Sequence, residues 1–460
     1  MPVSTSNYPS PIDGFSWLAR CTTSRVLVAL ILGLSPGAMP LVATAQSLQE
    51  AEPEGTEGPG SSLDLGTITV TGQKVKRSLA DTDGSVTVVF PGNSDSTAGA
   101  ASDLSGVAER LANVTPFAGG SSVAIRGIGQ TGFVGVPTAG QTNYLATRGP
   151  GDLVATYMDG IPVSVYAAPF GFWDVDQIEV LRGAQSTLLG RGSLGGALVI
   201  ENTDPTFTTE AAGQLALGTN SDQLATAFAV SGPILEDRLA YRIVFDRQTD
   251  PSFVDNITTG EEGDLKRRLT RRFKLLYVGE AGQDLELSTF FSNALIGTSY
   301  VDAGRWPDET VALPNVNTRL DNHSAGSSLR GSWPLSENLS LEMGTVWVQE
   351  NAAQEFDVDT IQVPVSFADV DDDIRTLSQE VRLRYEVDDL FNGFLGAYFE
   401  DFQGQGSAFA MPFHQNRLIQ QDIQTIALFG EGTWSLSEKT DLTLGLRFET
   451  EENNTTVNAS

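Results

Sequence analysis

The sequence has little cysteine, little histidine, few cations and no long apolar run, and each shortage removes a class of function. Its one cysteine, Cys21, lies before the apolar part of the N-terminal segment. The rest of the chain therefore has no disulfide framework, thiolate metal site or cysteine nucleophile, which suits an oxidising envelope compartment. Two histidines, His323 and His414, are too few and too separated for a sequence-local zinc site or a Ser-His-Asp assembly. Lys and Arg number 28 against 58 Asp and Glu, a formal charge of −30, which argues against nucleic acid as a partner. No stretch approaches the ~18 consecutive apolar residues of a membrane helix, so any membrane-spanning part must be a barrel. No catalytic constellation, resident metal or cofactor is expected.

What is present is enough to fold. Apolar residues make up 40% of the chain, 23 of them Phe, and charged residues only 19%. That composition offsets ordering entropy and excludes general disorder. A length of 460 residues suggests two or three domains at about 150 residues each.

Residues 1–45 read as a signal peptide. Arg20 and Arg25 precede the apolar run Val26 to Leu34, and Ala43-Thr44-Ala45 gives a small-x-small cleavage pattern after Ala45. Residues 46–64 are rich in Glu, Gly, Pro and Ser and read as a flexible periplasmic tether. Residues 65–73 contain the alternating β-branched run Thr67-Ile68-Thr69-Val70-Thr71. Two readings stand on pattern alone: an edge strand of the next domain, or a docking peptide that adds to another protein's sheet.

Residues 82–206 read as one compact α+β unit. Val86 to Phe90, Ser122 to Ile125 and Leu153 to Met158 are strand-like, Asp159-Gly160 marks a hairpin turn, and Asp103 could cap a helix with Leu104, Val107 and Leu111 on one face. From about residue 211 to 460, segments of roughly ten residues alternate apolar and polar positions, the pattern of a transmembrane barrel. Val381, Leu383, Tyr385 and Val387 share one face; Glu380, Arg382, Arg384 and Glu386 share the other. Leu442, Leu444, Leu446 and Phe448 oppose Thr443, Gly445, Arg447 and Glu449 in the same way. About eleven or twelve such strands are expected, with 249–266, 297–320 and 406–420 as outer loops.

Three local patterns carry less. Gly127-x-Gly129-x-x-Gly132 and Gly190-x-Gly192-x-x-Gly195 match a dinucleotide fingerprint by letter, but neither has the strand and helix it needs. Asp369, Asp371, Asp373 and Glu380 fit a calcium-loop spacing, with Ile374 where the turn requires glycine. A solvated acidic loop is the better account, and weak cation binding the alternative. His414, near Phe413 in an outer loop, reads as an ordinary exposed residue before a ligand contact.

The segment Asp174-Val175-Asp176-Gln177-Ile178-Glu179-Val180-Leu181-Arg182-Gly183, continuing through Gly190-Arg191-Gly192 to Gly195-Gly196-Ala197, closely resembles the plug signature of TonB-dependent outer-membrane receptors. Ile125-Arg126-Gly127, Met158-Asp159-Gly160-Ile161-Pro162 and Leu444-Gly445-Leu446-Arg447-Phe448 support the resemblance. Ala184, Leu189 and Gly192 depart from the residues usual there, so the match is to a divergent member. The resemblance implies a mainly β protein, a small α+β plug domain inside a transmembrane antiparallel barrel of about 22 strands, of which this chain supplies about half. The barrel is therefore expected to be a truncated fragment.

The same resemblance makes Thr67 to Thr71 the TonB box, with TonB and its inner-membrane energising complex as partner. It implies Arg126 and Arg182 as plug arginines that pair with inward-facing barrel carboxylates, Glu380 and Glu431, to lock the plug; lumenal charge solvated by water is the plainer alternative. It implies active uptake of a scarce small-molecule ligand, most often a ferric siderophore or similar metal chelate. Cobalamin, haem or an oligosaccharide, or a passive or non-functional barrel, are the alternatives. Outer-membrane lipids would surround the barrel, and the ligand-contacting residues are not specified.

Overall fold

In the computed structural model the described residues are 69–70, 77–79, 82, 84–91, 104–117, 122–129, 132–133, 153–164, 171–190, 192–218, 223–297, 310–357, 362–363, 367–387, 390–410, 415–437 and 440–459. All belong to one compact unit, Leu65–Ser460. The signal-peptide and tether segments, and Thr67, Ile68, Thr71, Arg191 and His414, lie outside them.

The first part is a set of short elements. β1 (Thr69–Val70) pairs antiparallel with β2 (Arg77–Ser78). β3 (Ser85–Val89) precedes helix α1 (Leu104–Ala108), which buries Leu104, Val107 and Ala108 on one face. β4 (Val114–Phe117), β5 (Ser122–Ile125), β6 (Ile128–Gly129) and β7 (Gly132–Phe133) form a four-stranded meander. In the first glycine-rich fingerprint Gly129 and Gly132 are paired antiparallel on β6 and β7, so the last glycine opens a strand.

β8 (Val154–Met158), β9 (Ile161–Pro162), β10 (Val175–Arg182), helix α2 (Ser186–Leu189) and β11 (Gly196–Asn202) complete this domain. Its main sheet has the order β3-β10-β11-β8-β9, with β11 and β8 parallel and the other pairs antiparallel. The Asp159-Gly160 turn joins β8 to β9 with φ of 49° and 74°, the left-handed pair that a tight hairpin needs. The two faces of this sheet bury separate clusters. Ile125, Met158, Ile178, Val180 and Leu198 form one, and Val70, Leu181, Ala197 and Val199 the other.

The second part is one antiparallel meander of eleven strands. Its members are β12 (Glu210–Leu217), β13 (Leu224–Leu235), β14 (Leu239–Asp250), β17 (Lys266–Val278), β18 (Asp284–Gly297), β20 (Arg319–Pro334) and β21 (Leu339–Asp357). β22 (Phe367–Val387), β23 (Phe391–Ala410), β24 (Gln415–Ser437) and β25 (Thr440–Ala459) follow. Three two-residue strands, β15 (Asp255–Asn256), β16 (Glu261–Glu262) and β19 (Val311–Ala312), pair with one another in the long connections.

The alternation seen in the sequence is physical. On β24, Leu428 is 60% exposed while its neighbours Ala427 and Phe429 are 1% and 2% exposed. Val381, Leu383 and Tyr385 are exposed as a row on β22, and Leu442, Leu444, Leu446 and Phe448 on β25. An all-apolar outward row is stable only against lipid, since water would leave it as a large exposed patch.

Two expectations fail at the strand ends. Asp369, Asp371 and Asp373 are not in a loop; they stand on β22, in register with Glu355, Ala353 and Asn351 of β21. Alternate residues of a strand share a face, so Asp369, Asp371 and Asp373 point opposite to Glu380, and the calcium-loop spacing has no converging geometry. Residues 406–410 and 415–420, expected in an outer loop, continue β23 and β24, and Arg319 and Leu320 likewise begin β20.

Candidate plug and barrel interface

Among the described residues, two of the places where the plug domain meets the barrel wall differ in chemistry. The first is the turn after β8. Asp159 is buried, and its carboxylate accepts hydrogen bonds from Asn202 N (3.0 Å) and Asn202 Nδ2 (2.7 Å). The same carboxylate is 2.9 Å from Lys274 Nζ on β17. Lys274 also donates to Asn202 O at 2.8 Å and to Asp204 at 2.9 Å, and Ser328 Oγ of β20 donates to Asp159 O at 3.1 Å.

One turn of chain away, Arg242 of β14 grips Asp174 with two nitrogens, Nε at 2.9 Å and Nη2, and reaches Glu210 at 2.6 Å. Arg242 is directly across the ladder from Lys274, and Arg272, two residues along β17, donates to Asn202 Oδ1 and Trp173 O. Arg330 of β20 pairs with Glu286 of β18 at 2.8 Å and lies 4.0 Å from Glu201 of β11. Burial pushes the Glu201 carboxyl up to about 7, with Asp159 and Glu286 adding to the rise and Arg330 and Lys274 opposing it. All these cations point inward by the strand period. Each is held by several acceptors, the condition under which a buried charge is tolerable.

The hairpin tip adds an apolar wedge. Ile161, Phe290 of β18 and Val348 of β21 belong to the plug's own hydrophobic cluster. Gly326 on β20 lies under this wedge, where a Cβ would collide with the Phe290 ring and meet Ile161 at 2.9 Å.

The second place is α2 against β24 and β25. Arg447 lies over the rings of Phe429 (5.2 Å) and Tyr398 (5.5 Å), and it pairs with Glu449 at 2.6 Å. Gly190, φ 77°, closes α2 directly beneath Arg447; a Cβ there would sit 2.9 Å from its Nη2. Tyr157 of β8 donates to Leu189 O at 3.3 Å. Burial first, then the carboxylates of Glu400 and Glu380, raise its hydroxyl above the usual tyrosine range.

Those residues singled out by the sequence that fall among the described ones can be placed. Asp159 and Gly160 form the docking turn just described. Glu179 is fully buried in the plug and accepts from Gln177 at 2.8 Å. Gly183 and Gly190 have positive φ, while Gly195 and Gly196 lead into β11, packed so closely on Ile128 and Leu181 O that no side chain fits. Arg182 donates to Thr87 Oγ1 (2.8 Å) and Ala112 O (3.3 Å), both within the plug. Burial, and the neighbouring guanidinium of Arg126, lower its pKa. Arg126 is exposed, with φ 52°. Glu380 lies 3.3 Å from Arg382, and Glu431 beside the Gly445 position that faces Thr187 of α2. Val70, in the segment the resemblance reads as the box, is fully buried, against Leu181 and Val199.

Sequence reasoning did not name Arg242, Arg272, Lys274, Asp174 as an ion-pair partner, or Gly326. The available signal was the inward-facing charges of β14 and β17, opposite a plug segment that is itself acidic at Asp159, Asp174 and Asp204.

Comparisons with known proteins agree with this arrangement. The profile of the TonB-dependent receptor plug domain matches residues 78–197, and that of the TonB-dependent receptor-like β-barrel matches residues 203–460. The pesticin receptor of Yersinia pestis is 24% identical over 320 residues, covering 67% of this chain and 46% of that protein. The ferrioxamine B receptor of Salmonella typhimurium is 34% identical over 113 residues, 22% of this chain and 15% of the receptor. Among solved structures, the ferric yersiniabactin uptake receptor from Yersinia pestis has a TM-score of 0.69 at 19% identity, covering 82% of this chain and 58% of its own. The ferripyoverdine receptor of Pseudomonas aeruginosa has a TM-score of 0.65 at 14% identity, covering 85% and 55%. The chain spans about half the length of the pesticin receptors it matches. A plug on the inward face of an antiparallel barrel wall, with both family profiles in order along the sequence, places this chain in the TonB-dependent receptor family.

Proposed function

We propose that this chain forms part of a receptor for the active uptake of a ferric siderophore or similar metal chelate across the outer membrane, driven through TonB. The observation that carries the reading is the buried ionic seat of the plug, Lys274 on Asp159 and Arg242 on Asp174. A passive pore needs no such seat. In a driven one it keeps the plug in place between pulls, because losing one partner of a buried pair costs about 3–5 kcal/mol. The relative named for ferrioxamine, and the structural neighbours named for ferric yersiniabactin and ferripyoverdine, favour a metal chelate over cobalamin, haem or an oligosaccharide.

In this reading the N-terminal 45 residues are removed on export and Thr67 to Thr71 pairs with TonB by strand addition, where backbone hydrogen bonds supply affinity. Arg126 and Arg182 would pair with Glu380 and Glu431 as a further lock that keeps the plug seated until it is pulled. The ligand would meet the inward polar wall toward the long-loop end, where Thr270, Asn322, Ser324 and Gln354 are buried and each has a polar atom with no hydrogen-bond partner among the described residues.

The test is uptake of radiolabelled ferric chelates by cells carrying the complete reading frame, with Val70→Pro as the coupling variant. Ligand binding at the cell surface should persist while accumulation falls to background. Undiminished accumulation in Val70→Pro, or in cells without TonB, would overturn the proposal.

A further inference from the structure

Strand β17 concentrates positive charge in a strongly acidic chain: Lys266, Arg267, Arg268, Arg271, Arg272 and Lys274 all lie within it. The strand period divides them. Arg268, Arg272 and Lys274 face inward; Arg267 and Arg271 face outward. Outward Arg247 of β14 sits opposite Leu269, between those two arginines on the neighbouring strand. Arg247, Arg267 and Arg271 are exposed, and none forms an ion pair or hydrogen bond with a described residue.

Their height follows from the register. β14 and β17 are joined at one end by residues 251–265, while residues 236–238 and 279–283 close the other ends as short turns. Long connections lie outside the cell and short turns in the periplasm, so the three arginines occupy the outer half. Toward the periplasm the same outward face carries Ile243, Phe245, Phe273 and Leu275. Phe245 and Phe291 flank Arg271 in register, and Phe245 stacks on Phe228 at 5.3 Å. The arginines thus stand at the outer rim of an apolar, aromatic belt. A recess of about 170 Å³ opens there, lined by Arg247, Thr249, Arg267, Asn293, Leu295 and Asp321.

A cation on the lipid face is costly at depth and nearly neutral at the headgroup level, so three arginines clustered at that rim require an anionic headgroup to repay their placement. Elsewhere the outward face of β20 to β24 is mainly acidic, with Arg319 and Arg375 among its carboxylates. Asp321, Asp371, Asp373, Asp401 and Asp422 share it, by the register that runs from β20 to β24. We infer that Arg247, Arg267 and Arg271 form a site for the phosphate groups of an outer-leaflet glycolipid, held by charge-assisted hydrogen bonds from guanidinium nitrogens. The site rests on the barrel standing in the outer membrane and is independent of what the receptor transports.

The test is lipid retention by the full chain extracted in non-ionic detergent. A phosphorylated glucosamine-disaccharide lipid and its dephosphorylated counterpart are added separately, and bound lipid is counted by mass spectrometry. The Arg247→Gln, Arg267→Gln, Arg271→Gln triple variant should lose about a hundredfold in affinity, from roughly fivefold per arginine near a charged surface. Arg375→Gln, whose arginine also faces outward but lies 3.5 Å from Asp373, should retain lipid as the parent does. On the parent protein, which needs no substitution to fold, removing the phosphates should abolish retention, and millimolar inorganic phosphate should leave it intact. Equal retention of the dephosphorylated lipid, equal retention by the triple variant, or displacement by inorganic phosphate would each overturn the proposal.

Discussion

The two places where plug meets barrel differ in what holds them. Around β14, β17 and β20 the contact is ionic: Lys274, Arg242 and Arg272 reach carboxylates and carbonyls of the plug. Around β24 and β25 it is aromatic: Leu189 of α2 packs against the cluster of Phe394 and Phe429, and Gly190 sits beneath Arg447, whose contacts with the Phe429 and Tyr398 rings stay within the barrel wall. A buried ion pair resists removal of either partner far more than it stabilises the intact state, whereas one apolar side chain packed on rings is held without direction and can slide. The ionic side is a fixed seat, and the aromatic side is the one able to give way first.

Lys274→Met breaks this contrast most severely. It leaves Asp159 buried without its cation, and should cost about 3–5 kcal/mol, read as a fall in thermal unfolding temperature and faster proteolysis of the plug. Asp159→Asn made together with Lys274→Met should recover much of the loss, and no recovery would show that Lys274 acts by packing alone.

Glu201 sharpens the comparison through pH. Its carboxyl is raised from the ordinary range to about 7, so the folded state holds the proton more tightly than the unfolded chain. The associated stability is present below about 4.5 and lost as pH rises through 7. Glu201→Gln should remove this slope and be the more stable protein at pH 7, by at most about 3 kcal/mol; parallel pH profiles for parent and variant would refute it.

Gly326→Val should drive a branched side chain into Phe290 and Ile161 and destabilise the hairpin seat by about 1–3 kcal/mol, measured by denaturant unfolding. Arg447→Leu, on the aromatic side, should cost only about 0.5–2 kcal/mol. If it proved as damaging as Lys274→Met, the distinction between seat and sliding contact would fail.

The sequence made the barrel legible where lipid imposes a rule. Val381, Leu383 and Tyr385 alternate with Glu380, Arg382 and Arg384 because one face must be apolar. Beyond the bilayer that rule lapses. The outer ends of β22 and β24, around Asp369 to Asp373 and Gln415 to Gln420, mix polar with a few apolar residues and read as loops, although backbone pairing carries the strands on. The plug turns at Asp159 and Gly190 were legible because few residues accept positive φ. The pairing of Lys274 with Asp159 was not, since no local pattern relates a plug turn to a strand so far along the chain. Nor was the anchoring of Arg182 inside the plug, where it donates to Thr87 and Ala112, since those partners lie far off in the sequence.

The pairing of β1 with β2 has a mechanical consequence. Thr69 is in register with Ser78, and Val70 with Arg77. A force arriving from the residues ahead of Thr69, with the plug held beyond Ser78, therefore loads the two strands at the same end. The ladder would open like a zipper, one rung at a time, instead of shearing all rungs together. Resistance at the start is then set by single backbone bonds, and the first substantial step is the withdrawal of Val70 from beside Leu181 and Val199.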